Sequence, residues 1–77
     1  MGSRSEHIAN ARKLTRTFAS APDQRRRALD IVQELARVPG LSSGERTALL
    51  NIQTWISERP PPGQLKARCE ALIAGFG

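Results

Sequence analysis

The sequence predicts an all-α protein: one compact four-helix bundle, up-down antiparallel or orthogonal. Three observations carry that expectation. Proline and glycine punctuate the 77-residue chain at Ala21-Pro22, Pro39-Gly40 and Pro60-Pro61-Pro62-Gly63. Between these breaks every segment repeats its apolar residues with helical period, and none alternates with period two. The links left over are about 2–5 residues long, the length that joins antiparallel neighbours in a bundle.

The first helix is expected over residues 4–19. Ser3 and Glu6 have capping-box spacing. Ile8, Ala11, Leu14, Thr15 and Phe18 fall on one stripe, with Arg12, Lys13 and Arg16 opposite. The second helix is expected over 21–38, where Ser20, Pro22 and Asp23 supply an N-cap, an early proline and a first-turn acid. Ala28, Leu29, Ile31, Val32, Leu35, Ala36 and Val38 give it the broadest apolar face, so it should be the most buried. Arg26 and Asp30 form an i,i+4 pair on its outer side.

The third helix is expected over 43–59, opened by the full capping box Ser42-Ser43-Gly44-Glu45. Ala48, Leu49, Ile52, Trp55 and Ile56 make its inner stripe. Leu50 lies well off that stripe and should be exposed. The fourth helix is expected over 62–76, with proline in the first turn, where no intrahelical partner is lost. Leu65, Cys69, Leu72, Ile73 and Phe76 line its inner face. The whole chain, 1–77, reads as a single domain, with residues 1–5 a disordered tail or a cloning remnant.

A chain this short hides only about 60% of the surface it exposes when unfolded, so its core is small. Domains of this size commonly add disulfides, a metal or a partner subunit. One Cys allows no internal disulfide, and one Cys with one His cannot complete a zinc site. Self-association is the remaining aid, and a homodimer through Leu50 on the third helix follows as an expectation. No run of 18 apolar residues is present, so no membrane span is expected. The polar start lacks a signal core and a myristoylation context, and with the free thiol this suggests a cytoplasmic protein.

The net charge is +5. Residues 1–27 hold seven cations and two acids, whereas residues 28–77 hold five of each. The entire excess therefore belongs to the first helix and the start of the second. Arg12, Lys13, Arg16, Arg26 and Arg27 are the residues expected to form a basic patch, the footprint that attracts phosphate or an acidic partner. A solvated face that keeps a small protein soluble would have the same composition.

The run Leu35-Ala36-Arg37-Val38-Pro39-Gly40-Leu41-Ser42 resembles the turn of a helix-turn-helix motif, with Ala36, Gly40, Leu41 and Leu49 at matching spacing. Pro39 and Arg46 depart from it, because both positions want an apolar residue. The following helix is also electrically neutral, unlike a helix that reads DNA.

Little in the sequence points to catalysis. His7 has no carboxylate or nucleophile at an evident spacing and reads as a surface histidine. Cys69, between Leu65, Leu72 and Ile73, reads as a small core residue. No glycine-rich phosphate loop, metal cluster or catalytic triad can be assembled, so no cofactor is expected and the chain reads as non-enzymatic. Trp55 suits a core anchor or, with Leu50, a protein interface. The expected function is a small regulatory or adaptor module that binds another protein. The alternative is a nucleic-acid-binding protein, such as a transcriptional regulator, using the same basic patch.

Overall fold

The computed structural model describes residues 3–76, and of Pro62 the backbone alone. The described residues form four helices and no strand: α1 (Arg4–Arg16), α2 (Gln24–Ala36), α3 (Ser43–Ser57) and α4 (Pro62–Phe76). A single 3-10 turn, Phe18–Ser20, follows α1. The bundle measures 31 × 22 × 17 Å with a radius of gyration of 11.6 Å, matching the roughly 11.5 Å of a close-packed chain of this length. None of the helices is long and apolar enough to cross a membrane.

The first three helices start where a side chain takes over an unpaired amide. Ser3 accepts from the Glu6 amide, and the Glu6 carboxylate accepts from the Ser3 amide in return. Ser3 to Ser5 cap and begin α1, as the capping-box spacing predicts and unlike the disordered tail also considered for residues 1–5, while Met1 and Gly2 lie outside the described residues. Ser42 and Glu45 make the same reciprocal pair at α3. Caps of this kind typically stabilise by about 1 kcal/mol.

The α2 start differs from expectation. Its cap is Asp23, whose carboxylate accepts from the Arg26 amide, and not Ser20. Ala21 precedes Pro22 and is extended, at φ −68° and ψ 133°, because the proline ring disfavours a helical residue before it. Ser20 therefore cannot cap a helix whose first residue would be Ala21.

The ends of α1 and α3 also come earlier than expected. α1 stops at Arg16, and the 3-10 turn swings Phe18 into the core at 1% exposure. α3 stops at Ser57 because Arg59 takes φ 56°, a left-handed conformation usually left to glycine. The Arg59 amide donates to the Ile56 carbonyl at 3.1 Å. Pro60 has no amide to complete the usual cap, and Arg25 Nε reaches across from α2 to donate to the same Ile56 carbonyl at 3.2 Å. In the α2–α3 link, Gly40 takes φ 68°, which costs glycine no steric clash.

The core is continuous. Ala28, Ile31, Val32 and Leu35 of α2 are buried, and α2, like α4, packs on all three other helices. Ile8 and Ala11 from α1, Leu49, Ile52 and Ile56 from α3, and Leu65, Cys69, Ile73 and Phe76 from α4 close around it. Ala36, counted from sequence in the α2 apolar face, is exposed at the helix end. Each fully buried large aliphatic such as Ile31 or Leu35 stabilises by roughly 1.5–3 kcal/mol. No buried side-chain nitrogen or oxygen among the described residues lacks a hydrogen-bond partner.

The helix ends that meet define the direction of each helix. Arg4 at the start of α1 touches Glu45 at the start of α3 and the Phe76 carbonyl at the end of α4. Arg25 at the start of α2 touches the end of α3. Chain direction thus alternates up, down, up, down.

The strained residue yields a direct expectation. Replacing Arg59 with glycine relieves a left-handed non-glycine conformation, and urea denaturation should show a gain of about 1 kcal/mol. A loss of stability would mean that the Arg59 side chain makes a compensating contact.

Candidate interaction surface

The five cations expected to form a patch are placed differently from one another. Arg12, Lys13 and Arg16 are exposed on α1. Lys13 and Arg16 occupy its last turn, where the helix dipole favours positive charge. Arg26 is exposed on α2, its Nε 3.4 Å from Asp30 Oδ1. Arg27 is half-buried and engaged in structure: it donates to the Leu14 carbonyl at 3.0 Å and to the Thr17 hydroxyl. These are the groups at which α1 gives way to the 3-10 turn. Arg12 lies on the opposite seam, lining shallow grooves with Glu70 and Ile73 of α4 and with Ile8 and Phe76. α1 therefore stands between Arg12 and Arg27, with Lys13 and Arg16 on its free side.

The outward face of α3 is of a different kind. Leu50 is 64% exposed, the one large hydrophobic residue so placed among those described. Ser43, Thr47, Thr54 and Ser57 share its stripe and are also exposed. Their hydroxyls are largely turned inward: Thr47 donates to the Ser43 carbonyl at 2.9 Å, Thr54 to Leu50 at 2.9 Å and Ser57 to Thr54 at 2.5 Å. No charge occurs from Thr47 to Ser57, the longest uncharged stretch in a chain that is 25% charged.

Trp55 is half-buried on the α3–α4 side, packed against the core. The Arg68 guanidinium lies over its ring at 4.6 Å from the centroid, a favourable cation–π geometry. Next to it, Gly44, Ala48, Ala71 and Gly75 form a shallow groove between α3 and α4, open because its walls are small residues.

The titratable groups form ties between helices. His7 is not a surface histidine, as the sequence suggested; its side chain is 14% exposed and its Nδ1 lies 2.6 Å from Glu34 Oε2. Asn10 Nδ2 donates to the same oxygen at 3.4 Å, and Arg37 lies 4.0 Å from the other. The His7 hydrogen bond holds the Glu34 carboxyl below its ordinary range. No hydroxyl or thiol among the described residues is hydrogen-bonded to His7.

Arg4 grips Glu45 with both terminal nitrogens, at 3.3 Å and 2.5 Å. It also donates to the Phe76 carbonyl at 2.7 Å and lies over the Phe76 ring. The Arg4 guanidinium, helped by the Ser42 amide, lowers Glu45 to about 2. Burial pushes the Cys69 thiol up to about 11, so at neutral pH it is not a thiolate. No group of three or more metal-binding side chains occurs among the described residues.

Sequence reasoning missed the roles of His7, Arg4 and Arg25. One signal was accessible. In the α1–α2 hairpin the facing residue numbers sum to 41, as in His7 with Glu34 and Leu14 with Arg27. That register depends on how the 3-10 turn is built, which periodicity does not give. Pro39 and Arg46, the two departures from the helix-turn-helix pattern, are both exposed and close no core of such a motif. No protein-family model, curated protein or solved structure matches the chain.

Glu45 sets an acid response. Its folded value of about 2 lies below the ordinary 4.5, so its contribution is complete above the ordinary value and is lost as pH falls toward 2. Circular dichroism should show wild type losing stability over that window. Glu45→Gln should be less stable at neutral pH and have a shallower acid dependence. Parallel acid curves for the two proteins would contradict the role of the Arg4–Glu45 tie.

Proposed function

We propose that the chain is a small non-enzymatic regulatory or adaptor module that acts by docking on another protein. The observation that carries this reading is Leu50, 64% exposed in the middle of α3 with Arg46 the one charged residue within a turn of it. Solvated faces of small proteins normally carry charge, while the cores of interfaces are depleted of it. The other three helices expose more charge: α1 shows Arg12, Lys13 and Arg16, α2 shows Arg25 and Arg26, and α4 shows Lys66, Arg68 and Glu70. The cations of α1 would steer an acidic partner at long range, and Leu50 would supply the contact. The buried thiol and the absence of a disulfide suit a cytoplasmic setting.

A pull-down from the source cell, with immobilised wild type beside Leu50→Glu, tests this. Leu50 leaves the core untouched, so the variant keeps its fold. Wild type should retain a protein that the variant loses at least about tenfold, as for a central contact. Equal retention by both, or none by either, would overturn the reading.

A second reading, binding to the phosphates of nucleic acid, is favoured by the exposure of Arg12, Lys13 and Arg16 without an ion pair among the described residues. Three phosphate contacts imply that affinity for duplex DNA falls about 40-fold when salt is raised fourfold. An electrophoretic mobility assay at low salt, repeated at raised salt, measures this. Absence of a shift at low salt removes that reading.

A further inference from the structure

We propose that the outward face of α3 pairs with the same face of a second copy of this chain, antiparallel, about a two-fold axis at Leu50. This rests on the docking reading above and names its partner.

The face is self-complementary. Its exposed stripe runs Ser43, Thr47, Leu50, Thr54, Ser57, with alternating steps of four and three residues. That is the spacing of a helix-pairing seam. Read from either end, the residue types are the same. An antiparallel pair therefore stacks Leu50 on Leu50 of the partner subunit and Ser43 on Ser57 of the partner subunit, and brings Thr47 within one residue of the level of Thr54 of the partner subunit, on the same side of the seam. Each layer joins side chains of matched size, as an isologous two-fold contact requires. The hydroxyls of Thr47, Thr54 and Ser57 already donate within their own helix. Covering them strands no donor.

Charge points the same way. In this register Arg46 lies level with Thr54 of the partner subunit and one residue from Gln53 of the partner subunit, so no like charges face each other. Glu58 caps the C-terminal end of its own α3, the end whose dipole disfavours an acid. In the antiparallel pair it reaches the N-terminal end of the partner's helix, which favours one. At the scale of the molecule, the +5 excess belongs to residues 1–27, and residues 28–77 are neutral. α3 packs on α2 and α4, so two cationic molecules would meet through their neutral side.

The 15 residues of α3 give a seam about 22 Å long with a single leucine. Sedimentation velocity of the purified chain, taken to about 1 mM, is therefore the measurement. Wild type should pass from monomer to dimer over this range, more readily at raised salt because residual repulsion is screened. Leu50→Glu should stay monomeric while keeping the wild-type circular dichroism. Orientation is read by cross-linking. Thr47→Cys mixed with Thr54→Cys should form a disulfide-linked heterodimer, and neither should link efficiently to itself; Cys69 is buried and stays out of the exchange. A chain monomeric at the highest concentration, a Leu50→Glu dimer as strong as wild type, or self-linking Thr47→Cys would each overturn the proposal. A monomer that still captures another protein through Leu50 would overturn self-pairing and leave the docking reading standing. A monomer that captures nothing would remove both.

Discussion

The apolar face of α2 is the constraint on which the remaining geometry depends. Ala28, Ile31, Val32 and Leu35 are the residues around which α1, α3 and α4 all pack. A core this small fixes the position of each helix but weakly fixes rotation and slide. Polar ties at the two ends supply that information. At one end Arg4 joins the starts of α1 and α3 to the end of α4. At the other, Arg25 joins α2 to the last turn of α3, and Arg27 joins α2 to the last turn of α1. Three of these bonds go to backbone carbonyls near helix C-termini, those of Leu14, Ile56 and Phe76. They satisfy those carbonyls and set register together.

The same ties change how the basic charge is understood. As composition, the cations of residues 1–27 form one class. In three dimensions Arg4, Arg25 and Arg27 are engaged in structure, whereas Arg12, Lys13 and Arg16 remain free at the surface. A guanidinium suits the first role because its planar fork can serve a carboxylate and a carbonyl at once. The excess available to a partner is therefore carried mainly by α1.

Local signals made most of the fold legible. The Ser42–Glu45 box located the start of α3, and the spacing of its inner stripe left Leu50 outside. Both depend on residues within one or two turns. The α2 start was misplaced because Ser20 looks like a cap, whereas Pro22 forces Ala21 to stay extended and passes the role to Asp23. The end of α3 was misplaced because Arg59, a non-glycine residue, gives no sign in the sequence that it will adopt a left-handed turn. Of the candidate surface, the exposure of Leu50 was readable. The separation of Arg12 from Arg27 by α1 was not, nor was the pairing of His7 with Glu34, since both require the register of one helix against the next.

The Arg4–Phe76 contact has a consequence for chain connectivity. A side chain at position 4 reaches the backbone at position 76, so the two extremities of the described chain sit within an arginine's length of each other. A few flexible residues would join them into a ring. New ends opened at the exposed Pro39-Gly40 turn would then cut no helix, and the order α3, α4, α1, α2 would encode the same bundle. In that permuted order Arg4 and Phe76 become close neighbours along the chain, and a contact now closed only across the full length of the sequence becomes one of the most local.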